Sequence, residues 1–165
     1  FIIAHRLSTI READVILPNL TEACLLAEYP YPETYGENGI KDLLAALRAA
    51  VGERTVVLTG IGYRAGKTGV LVARDGETDY YEHERLARSC HGTGDVYASV
   101  FTGALMRGMT VPQAARLAAD FTVECIKNTV GDPAHWYGVN FEGMLPQLWK
   151  QLGEERNEYE RDLRG

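Results

Sequence analysis

Residues 88–99 read RSCHGTGDVYAS. Three small residues, Gly92, Thr93 and Gly94, lead into Asp95 and then into a run with helical character. Glycine lets the backbone approach a ligand closely and take positive φ. A helix beginning directly after such a turn adds the positive end of its dipole, so the turn is a cradle for negative charge. A carboxylate at 95 is out of place in a static anion site. It fits a transfer reaction: the amides of residues 92–94 face a phosphoryl group, and Asp95 faces the attacking hydroxyl and takes its proton. The same four residues also read as a plain helix start, an Asp capping a helix after a glycine turn.

These residues need elements to place them. ADVILPN is a β-rich run stopped by Pro18, and TEACLLAE restarts as a helix with Thr21 or Asn19 as its cap. YPYPETYGENG is a Pro/Gly-rich loop. Residues 40–51 carry a clear helical repeat ending at Gly52, and TVVLTG has the composition of a buried strand. GVLVARDGETDYYEHE predicts two strands around an Asp75-Gly76 turn. A helix over 95–107, closed by Gly108, follows the glycine turn. A long helix runs from Val111 to Asn128 with Pro112 near its first turn. FEGMLPQLWKQLGEE predicts a last helix, and residues 153–165 read as a charged, solvated tail. Helices alternating with strands predict a three-layer α/β domain with a partly parallel sheet and an edge hairpin.

The chain has 165 residues, 45% of them apolar and 24% charged, with a net charge of −6. That suits one globular domain with a real core. The acidic balance argues against binding a nucleic-acid backbone. No apolar run nears the roughly 20 residues of a membrane span. Cys24, Cys90 and Cys125 form no CxxC pair and read as reduced thiols of a cytoplasmic protein. His5, His83, His91 and His135 are scattered, without the spacing of a metal site.

HGTGDVYASVFTGALMRG resembles the C-terminal signature of the ribokinase-like kinases, and most closely that of the pyridoxal kinases. PNLTEA resembles their Asn-x-x-Glu motif, at Asn19 and Glu22, and VVLTG the strand end that contacts ATP phosphates, at Thr59 and Gly60. AADFTVECIKNT and YGVNFEGMLPQL resemble the final helices of the bacterial enzymes. The resemblance covers residues 13–152, the C-terminal half of such a kinase, and its substrate-binding half has no counterpart here. It implies ATP and Mg²⁺, with Asp95 as the base, Gly92, Thr93 and Gly94 as the anion hole, Thr59 and Gly60 on ATP, and Asn19 and Glu22 holding Mg²⁺ through water. Mg²⁺ takes oxygen ligands and keeps several waters, which suits that pair. The pair equally suits a capping box on the helix that follows. The related hydroxymethylpyrimidine kinases usually carry Cys where this chain has Asp95, which favours a B6 vitamer as substrate; sugar kinases of the superfamily also carry Asp there.

Two other segments resemble something else. GIGYRAGKT has the look of a Walker A loop, but the glycine that must stand five residues before Gly66 is Ile61. Lys67 and Thr68 are therefore expected in a turn before the next strand. FIIAHRLSTIREADVIL resembles the switch-histidine segment of ABC-transporter ATPases, with His5 as the histidine. No Walker A or LSGGQ-type signature accompanies it, so residues 1–12 read as a foreign leader or a divergent kinase helix built on Ile3, Leu7 and Ile10. Three activities stay open: a B6-vitamer kinase or its hydroxymethylpyrimidine or sugar relatives; a non-catalytic nucleotide-binding half-domain; and an ABC ATPase fragment. A sheet cut in half exposes an edge and apolar surface, so a homodimer or other self-association is expected.

Overall fold

Pro18 cannot donate to a sheet ladder, so the strand it ends is short. In the computed structural model β1 is Val15–Ile16. The structure describes residues 13–32, 35–86, 90–130, 132 and 138–162, with side chains in the last helix to Gly153. The expected helix on Ile3, Leu7 and Ile10, and His5 with it, lies outside the described residues. Two compact units divide the chain, Phe1–Arg85 and Leu86–Gly165.

In the first unit, helix α1 (Leu20–Leu26) and helix α2 (Glu37–Val51) form the crossover from β1 to β2 (Thr55–Ile61), which pairs parallel to β1. Strands β3 (Lys67–Arg74) and β4 (Glu77–Glu84) continue antiparallel, giving the order β1-β2-β3-β4. Asp75 and Gly76 both have positive φ, at 51° and 84°, as a two-residue hairpin turn of matching twist requires. Ile40, Leu43, Leu44, Leu47 and Val51 fall on one face of α2 and pack with Val56, Leu58, Leu71 and Ala73 of the sheet. Burying one such Leu is worth about 2 kcal/mol. Val57, Val70 and Val72, at the alternate positions, are buried too, so both faces of the central hairpin are apolar. The outer strand β4 carries Glu77, Asp79, Glu82 and Glu84, charges that suit an edge.

Lys67 and Thr68 begin strand β3 rather than lying in a turn ahead of it. The tight link of residues 62–66 joins two antiparallel strands, with the Lys67 amide donating to the Arg64 carbonyl at 3.1 Å. Lys67 forms an ion pair with Glu84. No phosphate-binding loop is built there.

In the second unit, α3 (Thr93–Met106) buries Tyr97, Val100, Phe101 and Ala104. It packs with α4 (Val111–Thr129), whose inner face is rich in alanine: Ala114, Ala115, Ala118 and Ala119. The Tyr97 hydroxyl donates to the Ala115 carbonyl at 3.2 Å, and burial pushes its phenol well above the ordinary range. Thr110 and Gln113 form a reciprocal cap on α4, with Pro112 in the first turn. After the 3-10 turn Glu142–Met144 comes α5, Leu145–Asp162. The helix thus runs on through residues 153–162, which read in sequence as a tail.

Candidate active site

The first cluster sits at the carboxyl ends of the parallel strands β1 and β2, where α/β folds gather their ligand sites. Asn19 and Thr59 form an isolated parallel bridge just past the paired strand residues. The Thr59 amide donates to the Pro18 carbonyl at 2.9 Å. The register then shifts between Thr59 and Ile61, leaving Gly60 as an exposed extra residue at φ 74°. Glycine adopts the positive φ of such a bulge at no steric cost. Space around Gly60 is open, with nothing within 4 Å of where a Cβ would stand.

Asn19, rather than Thr21, caps α1. Its Oδ1 accepts from the Glu22 amide at 2.9 Å, and Glu22 Oε2 accepts from the Asn19 amide at 2.9 Å. Thr21 would need an acidic or amide side chain at position 24 to close the same box, and Cys24 stands there. Asn19, Glu22, Thr59 and Gly60 are therefore brought together. Among the described residues no three His, Cys, Asp or Glu side chains gather as a metal cage. Two exposed oxygen-bearing side chains at one strand end fit an ion that keeps most of its own waters.

The second cluster is the start of α3. The helix begins at Thr93, two residues earlier than the sequence suggests, so Thr93, Gly94 and Asp95 form its first turn. Of the two glycines only Gly92 takes positive φ, at 83°, as the left-handed N-cap. The first helical bond runs from the Val96 amide to the Gly92 carbonyl at 3.0 Å. The amides of Thr93, Gly94 and Asp95 precede it, and among the described residues no side chain caps them. A Cβ at Gly94 would meet nothing within 4 Å, so this end of the helix is open to close approach. Asp95 is exposed, and its carboxylate has no hydrogen bond or ion pair among the described residues. Donors for an anion and a free carboxylate lie within one turn.

The sequence reading missed several residues. Tyr35, in the Pro/Gly-rich loop, accepts a hydrogen bond from the Gly62 amide at 3.0 Å and so ties that loop to the turn after β2. Thr129, Val139 and Asn140 join the segment after α4 to His91, next to the glycine turn. YGVN was visible as a resemblance, but nothing in its spacing linked it to residue 91.

The phosphomethylpyrimidine kinase family model matches residues 3–138, including most of the segment that also resembles an ABC ATPase. A pyridoxine/pyridoxal/pyridoxamine kinase of Bordetella bronchiseptica is 30% identical over 95 residues, 54% of this chain and 34% of that protein. Among solved structures, pyridoxal kinase from Lactobacillus plantarum superposes with a TM-score of 0.77 at 30% identity, over 88% of this chain and 52% of that one. The ADP complex of Bacillus subtilis pyridoxal kinase superposes with a TM-score of 0.62 at 26% identity, over 72% and 44%. The chain thus spans between about a third and about half the length of these relatives. With its mixed sheet, its strand-end cluster and its uncapped glycine-led helix, the chain belongs to the phosphomethylpyrimidine kinase family.

Proposed function

We propose that this chain is the C-terminal part of an ATP-dependent kinase for the 5′-hydroxymethyl group of pyridoxal or a related B6 vitamer, its two units belonging to one three-layer ribokinase-like domain. Asp95 takes the proton of the alcohol as the alcohol oxygen bonds to the γ-phosphorus and ADP leaves. The first-turn amides at Gly92, Thr93 and Gly94 hold the transferring phosphoryl group. Thr59 and Gly60 contact ATP phosphates at the strand end, and Asn19 and Glu22 hold Mg²⁺ through water. Bound there, Mg²⁺ would offset phosphate charge. The carrying observation is the pairing, in one helical turn, of an exposed Asp95 with amides that, like its carboxylate, have no side-chain partner among the described residues.

The test is phosphorylation of pyridoxal by this chain and by Asp95→Asn, each with and without a separately expressed N-terminal half of a homologous kinase. The expected loss on substitution is roughly 10²–10⁴-fold, the range of a general base. An Asp95→Asn variant as active as the parent would falsify the assignment of the base. Hydroxymethylpyrimidine serves as the competing substrate, since a hydroxymethylpyrimidine/phosphomethylpyrimidine kinase is 29% identical to this chain over 117 residues. The chain's share of its relatives' length favours a second reading, a non-catalytic module that binds nucleotide or associates with itself or another chain. Thermal stabilisation by ADP with no turnover in any combination would select it.

A further inference from the structure

Among the described residues, Thr129 is the polar side chain that the core buries completely, with 0% exposure. It closes α4, and both roles of its hydroxyl are filled. It donates to the Cys125 carbonyl at 2.7 Å and accepts from the Asn140 amide at 2.8 Å. The first bond is the local back-bond that Thr makes in helices, which on its own slightly disfavours the helix. The second reaches across 11 residues and fastens a separate segment. Around it, the Asn128 side-chain amide donates to the Asn140 carbonyl at 3.4 Å, and the Asn140 side-chain amide donates to Asp132 Oδ2 at 3.3 Å.

That segment leads to the glycine turn. Gly138 forms a parallel bridge with His91, and the Val139 amide donates to the His91 carbonyl at 3.1 Å. Val139 is itself buried, at 7% exposure, and its Cγ1 lies 3.9 Å from where a Cβ on Gly92 would stand. The left-handed Gly92 is therefore flanked on one side by the helix it starts and on the other by Gly138–Asn140.

We infer that Thr129 is a positioning residue for the phosphate cradle: its hydroxyl fastens Gly138–Asn140 to α4, and that segment holds the His91–Gly92 backbone so that the first-turn amides of α3 aim outward. The inference rests on the proposed function for the identity of the ligand, and on hydrogen bonds alone for the linkage. Replacing the hydroxyl with a methyl keeps the shape and leaves the Asn140 amide without its acceptor. The linked segment then lets go of His91, the cradle is formed in fewer molecules, and the apparent dissociation constant rises in proportion.

The experiment compares the parent, Thr129→Val and Thr129→Ser by residue-resolved amide exchange without ligand and by calorimetric titration with ADP. In Thr129→Val the Val139 and Val96 amides, which donate to His91 and Gly92, are expected to exchange roughly tenfold faster while Phe101 and Ala104 inside α3 keep their rates. ADP binds roughly tenfold more weakly. Thr129→Ser, which keeps the hydroxyl, restores both. Uniform acceleration across α3 and α4, or acceleration that Ser does not rescue, would mean that Thr129 only stabilises the fold and would overturn the inference. If the parent itself binds no ADP, the proposed function falls, and the exchange pattern still decides the linkage. Should Thr129→Val fail to fold, a denaturant series on the parent decides: Val139 and Asn140 opening with one free energy supports the linkage, and Val139 opening without Asn140 overturns it.

Discussion

Helices α1 and α3 both begin beside residues that could touch phosphate or its metal, yet they end their backbones in opposite ways. At α1 the orphan amides are satisfied internally, by the reciprocal pair Asn19 and Glu22. At α3 the cap is a left-handed glycine, no side chain among the described residues caps the first-turn amides, and the acid of that turn is exposed. A bare helix end is not in itself a site, and α2 makes the point. It too starts at a glycine with no side-chain cap, but Gly36 is extended, and Glu37 is the acid of its first turn. What sets α3 apart is the combination of Gly92 in the left-handed region, open space at Gly94, and the buried Val139 bonded beside the turn at His91. A helix end that closes on itself serves the fold; one held open by its neighbours is free to serve a ligand.

The sharpest way to break this contrast is Gly94→Ala. A Cβ there meets nothing in the protein, and alanine is the better helix former by at most about 1 kcal/mol, so the fold should hold or gain slightly. The methyl would stand where a phosphate must approach, and ADP affinity in a calorimetric titration should fall roughly a hundredfold, the order of losing hydrogen bonds to a charged group. Unchanged affinity would make α3 no different from α2. Next in size is Gly92→Ala, which forces a Cβ into φ 83° and should cost about 1–2 kcal/mol. Thermal melts would register this as a drop of about 2–4 °C per kcal/mol for a chain of this length.

On the closed side, Asn19→Ala removes the cap acceptor and should destabilise by about 1 kcal/mol in chemical denaturation. Glu22→Gln should move stability by only a few tenths of a kcal/mol, because Gln also closes a capping box. The comparison sharpens if Glu22→Gln nevertheless weakens the Mg²⁺ dependence of ADP binding. If both substitutions act on stability alone, the strand-end cluster is a helix cap and nothing more.

The parts of this arrangement that were legible in the sequence are those carried by local spacing. The apolar repeat of α2, the Asp75-Gly76 hairpin, the start of α4 marked by Pro112 and the acid after two glycines are all written within a few residues. The start of α3 was read two residues late because Gly, Thr and Gly have poor helix propensity, and only the tertiary setting makes them the first turn. The far end of α5 was read as a tail because its charged residues lack an apolar stripe, although Glu and Arg are good helix formers. The supports of the site were out of reach for a different reason. Tyr35 to Gly62 spans 27 residues and Thr129 to Asn140 spans 11, and no periodicity encodes such pairings.

The smallest effect separates the two units by pH. Tyr63 lies in the turn after β2 and stacks at a tilt on Tyr80, with ring centroids 4.7 Å apart. Burial, aided by Tyr80, Glu37 and Tyr35, pushes its phenol up from the ordinary 10 to about 12. The folded state therefore holds this proton more tightly than the unfolded chain does. The stability tied to it is whole below pH 10 and is lost as pH rises from about 10 to about 12, where the unfolded state binds fewer protons. Tyr97 in the second unit, raised by burial alone, adds a loss of the same sign. Denaturant midpoints measured between pH 9 and 12 should decline in the parent and decline less in Tyr63→Phe, with part of the slope surviving through Tyr97. Tyr97→Phe also forfeits the hydroxyl bond to Ala115 and should lower the midpoint at every pH, whereas Tyr63→Phe should shift it only on the alkaline side. If the alkaline slope is untouched by Tyr63→Phe, the Tyr63 phenol is solvated in solution, and its packing on Tyr80 and the core of the first unit does not hold there.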